Sequence, residues 1–320
     1  MTPEELRSYR VSLEDCNRII HSALLPEARA VCRCPRGLVS ACFVLELTDG
    51  SRVVLKVQIR KSDTLLLFRE REACALLRTA GVPVPEVLRV DVSRGLLPYC
   101  YSLLTWLPGE DVVEALPGLQ PAGWRPIVRS LGRILARVHT VTKPATNASV
   151  LPWGRSVDQW VAERDFEFHE LVQQHRRQCF IPGDVLNEVD AAWRKWHQWL
   201  GRGHFCLLHG DGNFANTKVS LPEPEISGLF DFDQTDIGEA ERDFAPMETW
   251  RLKGWEEHLR AEFYAGYQEE RPLASGHCER AKAYALLRDL RIILDFRAPL
   301  SQPRGLGSSV EAIQRLVGGV

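Results

Sequence analysis

Two short runs of strand-forming residues near the N-terminus are spaced as a β-hairpin. Residues 41–47 and 53–59 are rich in apolar and β-branched side chains, and the turn-forming segment 48–51 separates them. Successive side chains of a strand point to opposite faces. Lys56 is therefore predicted on the face opposite to that of its apolar neighbours.

The rest of the N-terminal part reads as one helix and two more strands. Apolar spacing predicts a helix from about Asp63 to Ala80, which Gly81 would end. Residues 86–92 and 99–106 are the next strand candidates. Leu107-Pro108-Gly109-Glu110 then interrupts the pattern, and we place the domain boundary at this point.

The C-terminal part is dominated by helical periodicity. Three apolar stripes repeat with helical spacing, and their members are Ile127, Leu131, Ile134, Leu135 and Val138; Val157, Trp160, Val161, Phe168 and Leu171; and Val185, Val189, Trp193, Trp196 and Leu200. Residues 205–208 and 226–230 are short strand candidates, and residues 248–297 again indicate helices. The prediction is an α+β protein with a strand-rich lobe, 1–107, and a larger, mainly helical lobe, 108–320.

Composition excludes several classes of protein. The chain has 320 residues, 45% of them apolar, and a formal net charge of only −2, so neither nucleic acid nor an anionic membrane is indicated as a partner. No signal peptide or membrane-spanning run is evident. The nine cysteines contain no C-x-x-C pair and read mainly as small buried residues of a cytoplasmic protein. Oligomeric state is not indicated.

The strongest chemical signal lies in the segments 209–216 and 230–233. Asp211 and Asn216 are five residues apart, and Asp231 follows a short apolar run. Phosphoryl transfer to a hydroxyl needs a carboxylate that orients the acceptor, and oxygen ligands that hold Mg²⁺ on the nucleotide phosphates. Protein kinases meet these needs with H-R-D-x-x-x-x-N and D-F-G elements at the same spacing. Taken singly, each of these polar residues could instead cap a turn or end a strand.

The pattern H-G-D-x-x-x-x-N followed by D-F-D resembles the signature of the aminoglycoside phosphotransferase and choline kinase family. Further elements resemble that family in the same order, over about residues 35–250. They are Glu72 to Leu77 with the Val82-Pro83-Val84-Pro85 segment, the Tyr101 to Glu110 hinge, the Leu131 to His139 helix, and Asp243-Phe244-Ala245. The first loop, Pro35 to Ser40, has a single glycine and departs from a G-x-G-x-x-G pattern.

The resemblance implies a two-lobed, protein-kinase-like fold with a nucleotide between the lobes. It also implies that Asp211 is the catalytic base, and that Asn216 and Asp231 bind Mg²⁺. Lys56 would contact the phosphates of ATP or GTP.

The resemblance also assigns the groups around that nucleotide. Glu72 would hold Lys56, with Glu70 as the alternative partner. Backbone groups from Thr105 to Leu107 would bind the nucleotide base. His209 would support the catalytic loop. Asp233 could be an additional metal ligand or a group that contacts a ligand, and it is not included in the predicted metal set.

The function implied is Mg²⁺-dependent phosphorylation of a hydroxyl on an aminoglycoside or similar antibiotic, hence antibiotic resistance. A primary metabolite such as an amino alcohol or sugar is the alternative acceptor, and a non-catalytic nucleotide-binding protein is a further alternative. A cationic acceptor could meet acidic residues or a tryptophan cage. The acidic residues are Asp158, Glu163, Asp165, Glu167 and Glu170, and the tryptophans are Trp153, Trp160, Trp193, Trp196 and Trp199. A solvated helix face and core packing are the respective alternatives.

Overall fold

The protein is described here by a computed structural model that covers residues 8–34, 40–59, 64–119, 121–146, 148–249, 257–295 and 306–318. Most of the first loop, which departs from the G-x-G-x-x-G pattern, lies at residues 35–39 and therefore outside the described residues. Among the described residues, no helix has both the length and the apolar character needed to span a bilayer.

The predicted strands and helices occur in the predicted order, and the structure adds elements that were not predicted, among them the strands at 28–33, 110–111, 217–220 and 236–239. The strands are β1 (Ala28–Arg33), β2 (Ala41–Leu47), β3 (Arg52–Val57), β4 (Val87–Asp91), β5 (Tyr101–Thr105), β6 (Glu110–Asp111), β7 (Phe205–Leu208), β8 (Thr217–Ser220), β9 (Glu225–Leu229) and β10 (Asp236–Glu239). The helices are α1 (Leu13–Ser22), α2 (Leu65–Thr79), α3 (Val112–Ala115), α4 (Pro121–Val138), α5 (Val157–Gln178), α6 (Gly183–Trp196), α7 (Ala245–Glu248), α8 (Glu257–Glu270), α9 (His277–Asp295) and α10 (Leu306–Val317).

The described residues form two compact units. The first takes residues of Met1–Val112, Ala145–Leu151 and Asn216–Thr235, and the second takes residues of Val113–Pro144, Pro152–Ala215 and Asp236–Val320. Both units therefore draw on separate stretches of the chain. The predicted boundary at residue 107 lies close to the first of these breaks, and the division into two continuous lobes stays a prediction.

The first unit contains an antiparallel sheet with the strand order β1-β2-β3-β5-β4. The predicted hairpin is confirmed as β2 and β3, and Gly50 takes a φ of +86° in its turn, which favours glycine. Phe43, Leu45 and Leu55 are buried on one face, which α1 covers with Ile19 and Ile20. Strand alternation therefore leaves Lys56 on the other face, as predicted.

A second, three-stranded sheet of the first unit has the order β6-β8-β9 and is antiparallel throughout. Its hairpin β8–β9 connects the segment of Asn216 to that of Asp231. The N–H of Phe230 donates to the carbonyl of Asn216 at 3.0 Å, which holds the start of β8 beside the end of β9. Two predicted metal ligands are thereby brought to the same end of one hairpin.

The second unit is mainly helical, and its core is built from α5, α6, α9 and α10. Trp160, Trp193 and Trp196 are buried in that core, which confirms packing rather than a substrate cage for these three. The strands β7 and β10 pair antiparallel within the unit. The predicted combination of a small antiparallel sheet and a larger helical region is confirmed.

Helices α4 and α8 cross at unusually short range. A Cβ atom added to Gly132 would lie 2.1 Å from the carbonyl oxygen of Phe263, and one added to Gly266 would lie 1.9 Å from that of Arg129. Both positions therefore require glycine. Ion pairs between the arginines of α4 and the glutamates of α8 border this contact, for example Arg137 with Glu270 at 2.6 Å.

Candidate active site

A buried ammonium group surrounded by carboxylates marks the first unit. Lys56 on β3 is only 5% exposed. Its Nζ lies 3.0 Å from Glu70 Oε1, 2.7 Å from Asp231 Oδ1 and 2.5 Å from Asp233 Oδ1. One positive charge therefore faces three carboxylates, and we refer to Lys56, Glu70, Asp231 and Asp233 as the Lys56 cluster.

The partner that α2 provides for Lys56 is Glu70, and the preference for Glu72 was wrong. Two helical residues separated by two positions point about 200° apart, so only one of them can face the sheet. Glu70 shares the buried stripe of Leu67 and Leu77 and is 1% exposed. Glu72 points elsewhere, and its carboxylate accepts hydrogen bonds from the Ser149 hydroxyl and, at 2.8 Å, from the Val150 N–H.

Burial and the close spacing of the charges in the Lys56 cluster shift the pKa values of Glu70 and Lys56. Burial raises the pKa of Glu70 to about 7, and Asp233 and Asp231 add to this effect while Lys56 opposes it. Burial would lower the pKa of Lys56, but Asp231, Glu70 and Asp233 together outweigh it and raise that pKa well above its usual value. Lys56 is therefore held as a cation.

Asp231 and Asp233 reach the cluster through a tight turn directly after β9. Asp231 takes a left-handed conformation with φ of +68°, and the following N–H, that of Phe232, donates to Glu70 Oε1 at 3.3 Å. The side chain of Asp231 is 43% exposed, whereas that of Asp233 is 9% exposed. Asp233 belongs to the quoted D-F-D motif, but the sequence prediction left it out of the metal set, and the turn that brings it to Lys56 is not specified by strand or helix periodicity.

The donor set of the first unit fits a divalent cation. Glu70, Asp231 and Asp233 each offer one oxygen, and these oxygens lie within 4.8 Å of one another. The ammonium of Lys56 already lies within hydrogen-bond distance of all three carboxylates, so their oxygens converge on a positive charge. Carboxylate and amide oxygens are the hard ligands that Mg²⁺ prefers. Asn216, buried at the start of β8, adds an amide at the same end of the hairpin.

The predicted hinge follows β5 in the same unit. The N–H of Thr105 donates to the carbonyl of Glu86 at 2.9 Å, and the N–H of Trp106 donates to that of Arg52 at 3.4 Å. These two donors are already used by neighbouring backbone. Of the predicted hinge groups, these two N–H donors are therefore removed. The N–H of Leu107 and the backbone carbonyls of residues 105–107 stay predictions.

Asp211 lies in the second unit, on a loop after β7 whose backbone is fixed by a buried carboxylate. Asp243 Oδ2 accepts the N–H of His209 at 2.7 Å, and Asp243 Oδ1 accepts the N–H of Gly210 at 2.8 Å. The N–H of Asp211 lies 3.2 Å from Nδ1 of His209, and the Asn213 amide donates to Asp211 Oδ1 at 2.7 Å. The half-buried Asp211 carboxylate is thus held by the loop itself.

His139 contacts Asp243, and Tyr267 in turn contacts His139. Nε2 of His139 lies 3.1 Å from Asp243 Oδ2, and Nδ1 lies 3.0 Å from the Tyr267 hydroxyl. Burial alone would raise the pKa of Asp243, but the hydrogen bond and charge of His139 and His209 lower it, so Asp243 is an ionised acceptor. His139 Nε2 therefore donates to Asp243. Sequence reasoning quoted the motifs of His139 and Asp243 but gave them no role.

A protein-family comparison and structural comparisons agree on the class of this protein. The model of the phosphotransferase enzyme family, APH, matches residues 33–277. Solved aminoglycoside and macrolide phosphotransferases share the fold, which confirms the predicted two-lobed, kinase-like fold class. The chain belongs to the phosphotransferase enzyme family.

Three solved structures resemble the chain over nearly its whole length. A ternary complex of an aminoglycoside phosphotransferase with streptomycin and ATP has a TM-score of 0.66 at 14% identity and covers 97% of both chains. The GDP and kanamycin complex of another such enzyme has a TM-score of 0.70 at 12% identity, covering 96% of this chain and 99% of that one. The macrolide 2'-phosphotransferase MphH of Brachybacterium faecium has a TM-score of 0.63 at 18% identity, covering 93% and 98%.

Two curated relatives match shorter parts of the sequence. Acyl-CoA dehydrogenase family member 10 of Mus musculus is 25% identical over 223 residues, which are 65% of this chain and 19% of that protein. Hydroxylysine kinase of Bos taurus is 24% identical over 218 residues, which are 60% of this chain and 54% of that protein. The chain therefore spans about a fifth and about half of these relatives.

Proposed function

We propose that this protein transfers the γ-phosphate of ATP or GTP to a hydroxyl of a small molecule in a Mg²⁺-dependent reaction. The observation that carries this proposal is the Lys56 cluster, in which a buried ammonium is held by Glu70 and by the two aspartates that follow β9. Such an arrangement suits the phosphates and the metal of a nucleotide, because catalysis of phosphoryl transfer rests on positioning and charge neutralisation.

The residues of the first unit would hold the donor. Glu70 fixes the ammonium of Lys56, which would contact the nucleotide phosphates. Asp231 and Asn216 would hold Mg²⁺, with Asp233 as a further candidate. When bound, Mg²⁺ neutralises charge on the phosphates. The Thr105 carbonyl and the Leu107 N–H would bind the nucleotide base.

Asp211 would act on the acceptor. Its carboxylate would orient the hydroxyl and accept the proton from the hydroxyl oxygen as the new bond to phosphorus forms. The bond between the γ-phosphorus and the bridging oxygen would break, and ADP or GDP would leave. Asp243 contributes by holding the loop backbone at the N–H groups of His209 and Gly210, which fixes where Asp211 stands. A positioned carboxylate of this kind contributes about 10²–10⁴-fold to the rate.

For the acceptor we propose first an aminoglycoside or similar hydroxylated antibiotic. The solved structures of similar fold include complexes with streptomycin and kanamycin, and this supports a cationic, hydroxyl-rich acceptor. The second candidate is an amino alcohol, because hydroxylysine kinase of Bos taurus is among the sequence relatives. Drug susceptibility of cells with and without the expressed protein separates the two.

The reaction itself is tested by mass spectrometry. The purified chain, Mg²⁺ and ATP or GTP are mixed with aminoglycosides, macrolides, hydroxylysine, other amino alcohols and sugars, and each acceptor is examined for one added phosphate. Asp211→Asn tests the base. Asp190→Asn is the matched control, because Asp190 belongs to a surface ion pair with Arg176.

The expected result is a phosphorylated acceptor with the wild type and with Asp190→Asn, and a rate about 10³-fold lower with Asp211→Asn. Wild-type turnover by Asp211→Asn would overturn the role of Asp211. Nucleotide binding with no product from any acceptor would contradict the acceptor classes proposed here, and would leave either an acceptor outside the panel or the non-catalytic alternative.

A further inference from the structure

Trp106, at the centre of the predicted hinge, is contacted by two cations. The guanidinium carbon of Arg52 lies 5.0 Å from the centre of the indole ring, and Nζ of Lys218 lies 4.5 Å from it. Arg52 is exposed at the start of β3, whereas Lys218 on β8 is buried. The two cations therefore share a ring but differ in their access to solvent.

Lys218 is also paired with an acid. Its Nζ lies 2.8 Å from Oδ1 of Asp111 on β6, and the side chain of Asp111 is 27% exposed. The two residues are direct cross-strand partners of β6 and β8, which favours opposite charges at these positions. The carboxylate of Asp111 is partly exposed and can therefore also meet a ligand.

The pair lies on the side of the unit that carries Lys56. Cys42 is directly opposite Lys56 in the sheet, and the N–H of Cys34 donates to the carbonyl of Cys42 at 2.9 Å, so these three residues form a row on one face. Asp111 and Lys218 are close enough to Cys34 to influence the pKa of its thiol, which burial raises.

The pair also lies between the two ends of the predicted nucleotide site. Lys218 follows Asn216 by two positions and touches Trp106 of the hinge. A nucleotide with its base at the hinge and its phosphates at Lys56 and Asn216 has its sugar between those ends.

We propose that Lys218 and Asp111 bind the ribose of the nucleotide. The Asp111 carboxylate would accept from a ribose hydroxyl, and the Lys218 ammonium would donate to a ribose oxygen. This inference rests on the proposed function, because it requires a nucleotide donor. It makes the pair a determinant of specificity for ribonucleotides over deoxyribonucleotides.

The test compares the affinities of ADP and 2'-deoxy-ADP, and of GDP and 2'-deoxy-GDP, by titration calorimetry in the presence of Mg²⁺. The variants are Lys218→Met and Asp111→Asn. Arg52→Gln is the matched control, because it removes the other cation from the Trp106 ring. Thermal unfolding of each variant is measured alongside, and the more conservative Asp111→Asn keeps the test decisive where Lys218→Met does not fold.

We expect the wild type and Arg52→Gln to prefer the ribonucleotide about tenfold, and Asp111→Asn and Lys218→Met to lose most of that preference. Equal affinities for both sugars in the wild type would overturn the ribose site and leave the proposed function standing. An equal loss in Arg52→Gln would also overturn it, because the effect would then come from the indole ring. Binding of neither nucleotide would overturn the proposed function itself.

Discussion

Each unit of this protein contains a buried cluster of charges, and the two clusters differ in a way that separates a site from a scaffold. In the first unit, the Lys56 cluster sets three carboxylates against one ammonium. One of those carboxylates, Asp231, keeps 43% of its side chain exposed. The cluster therefore has an excess of negative charge and an open side.

The second unit contains what we call the Arg280 cluster, made of Arg280, Glu239, Glu241 and Tyr284. Arg280 donates to Glu241 at 2.6 Å, and Tyr284 donates to Glu239 at 2.6 Å. The Gly203 N–H also donates to Glu239 at 2.7 Å. All four side chains are buried. This cluster is closed to solvent, and each acid accepts from at least one donor of the protein, although Oε2 of Glu241 and Nε of Arg280 have no hydrogen-bond partner among the described residues.

Burial of charge alone therefore does not mark a functional site. A cluster with an excess of one charge, and with one member exposed to solvent, can bind a ligand of the opposite charge. A network that is closed to solvent instead holds helices and loops in place. Four predictions test this distinction, and each of them concerns one of the two clusters.

Asp231→Asn is expected to have the largest effect. We expect kcat/KM for the transfer to fall by about 10³-fold, because a metal ligand of the proposed donor site is lost. The melting temperature should stay level or rise, because one of three crowded carboxylates becomes neutral. Turnover assays and thermal unfolding measure both, and activity above a tenth of the wild type would contradict the role of Asp231.

Arg280→Met should lower the stability of the protein and leave its activity nearly unchanged. Removing the guanidinium leaves buried acids without their partner, and we expect the free energy of unfolding to fall by about 3–5 kcal/mol. The kcat of the folded fraction should change less than threefold. Urea unfolding and active-site-normalised rates check this. A variant with wild-type stability but no activity would place the Arg280 cluster in the reaction.

Glu70→Gln and Glu72→Gln form a matched pair on one helix. We expect kcat/KM to fall about 10²-fold in Glu70→Gln, because Lys56 loses the acid that orients it. Glu72→Gln should stay within about threefold, because Glu72 contacts Ser149 and Val150 instead. Equal losses would show that α2 acts as a whole rather than through Glu70.

The smallest effect is a pH dependence of stability from Glu239. Burial raises the pKa of Glu239 above its ordinary 4.5. The folded chain therefore binds more protons than the unfolded chain above pH 4.5, and the contribution of Glu239 to the free energy of unfolding falls as pH rises through that window. Glu239→Gln should lose less stability than the wild type between pH 4.5 and 7. If the difference in free energy of unfolding between the wild type and Glu239→Gln did not change with pH, a raised pKa of Glu239 would be contradicted.

The fold was largely predictable because its elements have strong local signals. The β2–β3 hairpin has a turn with Gly50 between two β-rich runs, and the stripes of α4, α5 and α6 repeat with helical spacing. The choice between Glu70 and Glu72 was also open to local reasoning, since Glu70 shares the spacing of Leu67 and Leu77. The spacing to the proline pair was given more weight than helical phase.

Other parts of the candidate site depend on contacts between distant segments, which no local pattern specifies. Asp243 reaches the backbone of His209 and Gly210 only because β7 and β10 pair. Lys218 meets Asp111 only because β6 joins the β8–β9 hairpin. Neither contact follows from apolar periodicity, because both are made by polar residues far apart along the chain.

We propose that the open cluster of the first unit binds a metal–nucleotide complex, and the affinity for ADP is to be measured by titration in Mg²⁺ and in EDTA. We predict that the wild type and Glu241→Gln, which alters the closed cluster, bind ADP at least tenfold more tightly with Mg²⁺ than with EDTA. Asp231→Asn should lose that difference. An affinity that is the same with and without Mg²⁺ in the wild type, or that Asp231→Asn leaves unchanged, would contradict the account.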